Sequence, residues 1–161
     1  MENGTFCFLS DQYYRDFNDE HLMQNKETVD GIAHDRPCFF VFQDSINPQI
    51  YWLVPISSKY EKYKTIYDKK VARYGKCNTI RFGKVLGNQA AFLIQNMCPV
   101  TKSYIREVYT DKKGVAVQID GRIVRDVVSN AREVLAIAKR GVRIIFPDVN
   151  AIYNALCAQL G

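Results

Sequence analysis

The sequence predicts one α+β domain spanning residues 1–161, in which helices surround a strongly twisted antiparallel sheet or small barrel. Short apolar segments separated by turn residues indicate about five or six strands, and strands joined by tight turns pair antiparallel. Longer segments with apolar residues at helical spacing indicate one long helix and several shorter ones. A chain of 161 residues can bury a core, and its 47% hydrophobic and 24% charged residues are typical of a soluble globular protein.

The first half of the chain predicts three strands, a long polar loop and two helices. Its segments are a strand at 5–9, a short helix capped by Ser10 or Asp11, a polar loop at 18–36 with at most a partial helix, strands at 38–42 and 49–56, and a helix at 58–74. The 38–42 segment is apolar at every position, as expected for a strand covered on both faces. Asn47-Pro48 indicates a turn that joins the two strands around it. Gly75 predicts the end of the helix.

The second half predicts further hairpins followed by two helices. Its segments are strands at 78–83 and 89–94 joined at Gly87-Asn88, an end to this unit at Pro99, a long helix at 122–140, an extended link at 143–146 and a last helix from Pro147. Residues 104–109 and 115–119 fit a hairpin across Asp111–Gly114, and a helical turn from Thr101 is an equally open alternative.

Basic residues are concentrated in one segment. Residues 58–84 contain nine basic and two acidic residues, a net charge of +7, whereas residues 1–57 carry −6 and the whole chain +5. Such a local excess attracts polyanions. On the predicted helix the tyrosines lie along one face, and basic residues form a stripe along the neighbouring face. The basic residues are Lys59, Lys62, Lys69, Arg73 and Lys76, with Arg81 beyond the helix. A nucleic-acid interface and a solvated lysine-rich face both fit this pattern.

The segment 54–59, Val-Pro-Ile-Ser-Ser-Lys, lies at the entrance to this basic tract. Two adjacent hydroxyls beside a lysine can hold a phosphate without a metal ion. RNA supplies its own nucleophile, the 2′-OH, so a site need only align it and stabilise the charge that develops on the phosphate. These residues therefore predict an RNA-binding or RNA-cleaving site.

Other chemistries lack their motifs. The sequence contains no H-E-x-x-H, no G-x-x-x-x-G-K-[ST] and no G-x-S-x-G, so we expect neither a catalytic metal nor a bound cofactor. The five cysteines are widely spaced without any C-x-x-C, and we expect reduced, mostly buried thiols. No run of 18 apolar residues and no signal-peptide pattern is present, so we expect a cytoplasmic protein without a membrane segment.

Four motifs in order resemble toxins of type III toxin–antitoxin systems of the ToxN/AbiQ type, and most closely their CptN-like branch. These motifs are Phe6–Tyr13, the opening strand and tyrosine-bearing helix; Arg36-Pro37-Cys38-Phe39-Phe40, the entry into the next strand; Pro55–Lys59, the P-[LI]-[ST]-S-x-K signature; and Phe92–Val100, the N-M-I-P-V segment. Together with the long C-terminal helix, they cover nearly the whole chain.

The resemblance implies a metal-independent endoribonuclease on a Kid/MazF-like twisted sheet. Such toxins leave 2′,3′-cyclic phosphate and 5′-OH ends on cellular or phage RNA and act in abortive infection by bacteriophage. A small repetitive antitoxin RNA, folded as a pseudoknot, inhibits them and is processed by them. Toxin and RNA repeats close into a ring-like ribonucleoprotein complex.

The resemblance also implies roles for particular residues. Ser58 and Ser57 would hold the scissile phosphate, Lys59 and Arg36 would stabilise its charge, and Tyr13 would assist proton transfer. The lysine of the family often lies two residues after the serine, so Lys62 is an alternative to Lys59. Apart from the resemblance, His34 lies in the polar loop two residues before Arg36, where it would be either a general base or an exposed loop histidine, and we count it among the expected RNA-binding residues.

Two functions from other classes remain open at this stage. A catalytically silent RNA-binding or assembly module would need the basic helix but not Ser58. A structural protein with an acidic protein partner would form a complex that survives nuclease treatment.

Overall fold

Nine strands and four helices make up the fold of this computed structural model, which describes residues 2–161. Met1, where the domain is predicted to begin, lies outside the described residues. The elements in chain order are β1 (Phe6–Leu9), α1 (Asp11–Asp16), β2 (Lys26–Val29), β3 (Ile32–Asp35), β4 (Cys38–Gln43), β5 (Ile50–Ser57), α2 (Tyr60–Tyr74), β6 (Ile80–Val85), β7 (Asn88–Leu93), β8 (Cys98–Thr101), β9 (Ile105–Val108), α3 (Gly121–Lys139) and α4 (Val149–Leu160).

Seven of the strands form one twisted antiparallel sheet in the order β6-β7-β5-β4-β1-β9, with β8 paired to the first half of β5. The remaining strands, β2 and β3, form a separate hairpin. Strand β5 is the centre of the sheet, since it pairs with β4, β7 and β8. The predicted α+β class with a twisted antiparallel sheet is confirmed.

The core lies on both faces of β4, as its uninterrupted apolar run predicts. Phe39 and Val41 belong to the cluster that packs under α3, whereas Cys38 and Phe40 belong to the cluster under α1 and α4. Five of the six β4 residues are buried, and only Gln43 is exposed. The alternation of side chains along a strand therefore feeds two separate apolar layers.

The two long helices begin and end where the sequence predicts, within two residues. Helix α2 ends at Gly75, whose φ of +80° is the left-handed conformation that glycine adopts easily. The carboxylate of Asp120 accepts a hydrogen bond from the Arg122 amide (2.8 Å) and so caps α3. Tyr63 is the buried tyrosine of α2, and Tyr74 at its end is exposed.

Several sequence-based expectations were wrong. Residues 18–36 are not a loop throughout, because they contain the β2–β3 hairpin, whose turn is Asp30-Gly31 at φ +51° and +77°. Pro99 does not end its unit but lies inside β8 opposite Trp52, and β8 is an edge strand, where a proline is tolerated. The β6–β7 turn lies at Leu86-Gly87, one residue earlier than predicted.

After Thr101 the structure contains both a short helical turn and a strand, the two alternatives that the sequence left open. A short 3₁₀ turn at Lys102–Tyr104 leads into β9, and β9 pairs with β1 rather than with 115–119. In place of the predicted hairpin, the structure has a single antiparallel β-bridge between Thr110 and Ala116. Within residues 2–161, no helix combines the length and apolar character that crossing a membrane requires.

Candidate functional site

The two serines of the signature lie where β5 ends and the chain turns into α2. Ser57 is the last residue of β5 and is 1% exposed, whereas Ser58 is exposed. Both hydroxyls donate to one carboxylate oxygen of Glu27, at 2.8 Å from Ser57 and 3.1 Å from Ser58. The Ser58 backbone N–H donates to the same oxygen at 3.1 Å. The junction of strand and helix is thus a set of three converging donors.

Arg36 lies beneath this junction and is almost completely buried. Its Nε donates to the Gln24 carbonyl (2.7 Å) and its Nη1 to the Ile56 carbonyl (2.9 Å). The same Nη1 lies 3.7 Å from the second oxygen of Glu27, and the two side chains are 7% and 9% exposed. Glu27, Ser57, Ser58 and Arg36 are called the oxyanion cluster below. The cluster is one negative charge enclosed by one positive charge and three hydrogen-bond donors.

Helix α2 closes one side of the oxyanion cluster. Burial raises the pKa of Tyr63, while nearby Arg36 lowers it and nearby Glu27 raises it further, so the phenol lies within electrostatic reach of both charges. The Lys59 amide donates to Ser57 Oγ (3.2 Å), which fixes the start of the helix. The Lys62 ammonium lies over the ring of Tyr63, 5.2 Å from its centroid. The Lys59 backbone and the Lys62 side chain are thus placed next to Ser57 and Tyr63, and the choice between the two lysines stays open.

His34 lies at the same place. It is directly opposite Glu27 in the β2–β3 hairpin, so the two side chains project from one face of that hairpin. His34, Glu27 and Ser58 line a cavity of about 300 Å³, together with the start of β7 and Tyr109. Because His34 is exposed, a ligand in this cavity can reach its imidazole.

The predicted basic stripe divides into two groups. Lys59, Lys62, Lys69 and Arg73 are exposed and form no ion pair with any of residues 2–161. Lys76 instead reaches Glu133 at 3.5 Å and Arg81 reaches Asp126 at 3.1 Å, both on α3. The first group is available to a polyanion, whereas the second attaches α3 to the β6 side of the sheet.

Tyr13 is placed apart from the oxyanion cluster. Its side chain is 0% exposed, and its hydroxyl donates to the Pro99 carbonyl at 2.8 Å. Burial, with a smaller contribution from Cys98, raises the pKa of this phenol well above its ordinary value. Proton transfer to RNA would require the hydroxyl to leave Pro99 and become accessible, so burial argues against the role that the family resemblance implies.

Glu27 is the site residue that the sequence reasoning missed. The signal that could have found it is the Asp30-Gly31 pair between Glu27-Thr28-Val29 and Ile32-Ala33-His34, a strong two-residue hairpin signal. A hairpin there puts Glu27 and His34 opposite each other. Among residues 2–161, no three His, Cys, Asp or Glu side chains are grouped so as to hold a metal ion.

Comparison with solved structures gives matches that include a full-length one. The structure of AbiQ superposes with a TM-score of 0.70, covering 98% of this chain and 98% of AbiQ, at 13% sequence identity. The chain has the AbiQ fold. AbiQ is a lactococcal anti-phage endoribonuclease belonging to the type III toxin–antitoxin system. The resemblance drawn from the sequence motifs is thus confirmed at the level of the AbiQ fold. No protein-family model and no curated protein sequence matches the chain.

Proposed function

We propose that the protein is a metal-independent endoribonuclease toxin of a type III toxin–antitoxin system. The observation that carries this proposal is the position of the oxyanion cluster within the AbiQ fold: three donors and a guanidinium converge at the end of β5, next to the exposed cations of α2. Donors arranged in this way suit a phosphate, whose charge they can stabilise.

The proposed reaction is attack by the 2′-OH of RNA on the adjacent phosphate. The 2′-oxygen–phosphorus bond forms and the bond to the 5′-oxygen of the next nucleotide breaks, giving 2′,3′-cyclic phosphate and 5′-OH ends. Ser58 supplies its hydroxyl and its N–H to the non-bridging oxygens, and Lys59 or Lys62 balances their charge. Arg36, buried beneath, supplies a positive charge to the site.

A proton must leave the 2′-OH and another must reach the departing 5′-oxygen. His34 lines the cavity beside Ser58 and is accessible, so it is our candidate for this transfer. Imidazole is the side chain best suited to proton transfer near neutral pH. Tyr13, which is buried and bonded to Pro99, is not assigned a step.

The exposed cations of α2 would bind the backbone of the RNA. Lys62, Lys69 and Arg73 follow one another along the helix and form no ion pairs within residues 2–161, as a row of phosphate contacts requires. The proposed partner is a repetitive antitoxin RNA, folded as a pseudoknot, that occupies this row in a closed complex and is processed by the toxin. Purification of the native complex should then yield a discrete short RNA and a high absorbance at 260 nm, which nuclease treatment removes.

The test of the enzymatic proposal is RNA cleavage by RNA-free protein in EDTA, comparing wild type with Ser58→Ala. Ser45→Ala is the matched control, because Ser45 is an exposed serine in the β4–β5 turn, at the opposite end of β5 from Ser57. We expect wild type and Ser45→Ala to cut equally and Ser58→Ala to lose most of its activity, about 100-fold as for an oxyanion donor. Cutting by Ser58→Ala at the wild-type rate would contradict the role of this serine.

A catalytically silent RNA-binding module is the second candidate. The observation that favours it is the engagement of both serine hydroxyls with Glu27, which also suits a purely structural junction between strand and helix. The same assay separates the two functions, because the module would bind RNA through the cations of α2 and leave every RNA intact.

A further inference from the structure

The β2–β3 hairpin attaches to the rest of the protein in an unusual way. Of its eight strand residues only Glu27 is buried; Val29 and Asp35 are half-buried and the other five are exposed. A hairpin normally packs through apolar side chains, since two strands alone are at best marginally stable in water. Here the buried group is a carboxylate that reaches into the oxyanion cluster.

The carboxylate of Glu27 uses the same donors that a phosphate would need. One oxygen accepts from Ser57 Oγ, Ser58 N and Ser58 Oγ at 2.8–3.1 Å, and the other lies 3.7 Å from the Arg36 guanidinium. A phosphate at these donors would lie against a negative charge in a poorly solvated place. Two anions so close strongly disfavour each other, so the site holds one at a time.

We propose that Glu27 is an internal competitor of RNA: its carboxylate fills the phosphate site of the free protein, and the β2–β3 hairpin withdraws it when an RNA phosphate enters. This inference rests on the proposed function, because it assigns RNA phosphate as the group that replaces Glu27. It adds a control element to that site. An RNA must make enough other contacts, along the cations of α2, to offset the displacement of Glu27.

The base of the hairpin, two residues from Glu27, is anchored while its tip is not, so withdrawal of the carboxylate requires the hairpin to pivot about that base. At the base, the Arg36 amide donates to the Asn25 carbonyl (2.6 Å), and the Asn25 side chain donates to Asp11 (2.6 Å). At the tip, Ile32 is 62% exposed. Asp35, opposite Lys26 at the base, also forms an ion pair with Arg106 (2.7 Å), which is partly exposed and contributes little.

The first test compares the affinities of wild type, Glu27→Gln and Glu61→Gln for a short mixed-sequence oligoribonucleotide with 2′-O-methyl riboses. This probe cannot be cut, because its 2′-oxygens are blocked. Glu61 is the matched control, since it is exposed in the first turn of α2 and forms no ion pair with residues 2–161. By fluorescence anisotropy we expect Glu27→Gln to bind about tenfold more tightly than wild type, and Glu61→Gln only about twofold. Equal or weaker binding by a folded Glu27→Gln protein would overturn the inference.

The second test uses the wild-type protein alone and decides the question even if Glu27→Gln does not fold. Hydrogen–deuterium exchange is followed with and without the same oligonucleotide. Release of Glu27 predicts faster exchange of the β2 and β3 amides in the complex, while those of β5 and β7 do not accelerate. Unchanged or slower exchange of the hairpin amides would contradict withdrawal.

These outcomes are distinguishable from the failure of the proposed function. A gain in affinity for Glu27→Gln, with no cleavage of natural RNA, would contradict the nuclease activity and support Glu27 as a competitor of RNA. Cleavage of natural RNA without that gain would contradict only the role of Glu27. Absence of oligonucleotide binding by every variant, together with no cleavage of natural RNA, would overturn both.

Discussion

Replacing Arg36 with methionine tests whether its guanidinium is the buried counterion that holds the site together. Methionine keeps much of the length of the side chain and removes its charge and donors. In the folded protein this leaves Glu27, whose side chain is 9% exposed, without its positive partner. It also leaves the Gln24 and Ile56 carbonyls without the donors that now lie at 2.7 and 2.9 Å.

The magnitude follows from these contacts. Breaking a buried ion pair by removing one partner destabilises a protein by about 3–5 kcal/mol. Glu27 retains its three donors from Ser57 and Ser58, so we expect a loss near the lower limit, about 3 kcal/mol. For a chain of 161 residues, this corresponds to a fall in melting temperature of about 6–12 °C.

The assay is urea unfolding and thermal melting of wild type, Arg36→Met and the control Arg106→Met. Arg106 also pairs with carboxylates, Asp35 at 2.7 Å and Glu107 at 3.0 Å, but its side chain is 38% exposed. We expect this surface substitution to cost about 1 kcal/mol or less. Adding Glu27→Gln to Arg36→Met should restore part of the lost stability, because no unpaired charge then remains buried. Equal losses in the two arginine variants would refute the reasoning.

Three further predictions concern other parts of the molecule. Tyr13→Phe should lose about 1–2 kcal/mol in urea unfolding, because the Pro99 carbonyl loses its donor, and should keep wild-type cleavage; a folded variant that no longer cuts would support proton transfer instead. Lys69→Ala and Arg73→Ala should each reduce the slope of log affinity against log salt by about 1 in RNA titrations, whereas Lys64→Ala, whose ammonium already pairs with Asp68, should change it less. Burial raises the pKa of Asp44, but hydrogen bonds from Trp52, Tyr153 and two amides lower it below the ordinary 3.8. The stability lost in Asp44→Asn should therefore be largest above pH about 4 and vanish as the pH falls through the lowered pKa. Urea unfolding of both proteins across acid pH measures this difference.

The elements that the sequence predicts well are those in which one local pattern has a single physical reading. The uninterrupted apolar run at 38–42 becomes β4, which is covered on both faces. The alternating tyrosine and basic stripes become α2, which ends at Gly75. In each case burial and the local backbone preference favour the same structure, so no knowledge of distant contacts is needed.

The β2–β3 hairpin was missed because its sequence is polar. Sequence reasoning looks for strands through apolar alternation, and here the buried position is Glu27. Its burial becomes favourable only when Ser57, Ser58 and Arg36 come together from other elements. The prediction that Pro99 ends its unit was wrong for a related reason, because proline indicates the end of a strand unless that strand lies at an edge of the sheet.

In the candidate site, too, the sequence predicts some residues and fails to locate others. Ser57, Ser58 and Lys59 could be named as candidates because their order in the chain is itself the signal, and Arg36 and His34 lie near Glu27 and Ser58 in the structure. Tyr13 could not be located from its motif, since its burial depends on the packing of α1 against β8. What the sequence lacks in general is the direction in which a side chain points.

The measurement that tests the central claim most directly uses a single RNA, cut in EDTA by RNA-free wild-type protein, with its cleavage position mapped. The same RNA is then prepared with one 2′-deoxynucleotide on the 5′ side of the scissile phosphate. We expect this single substitution to abolish cutting at that position, and we expect the cut, unmodified RNA to carry a 2′,3′-cyclic phosphate at the new end. Cutting of the deoxy-substituted RNA at the same position, leaving a 3′-OH or 3′-phosphate end, would contradict attack by the 2′-OH.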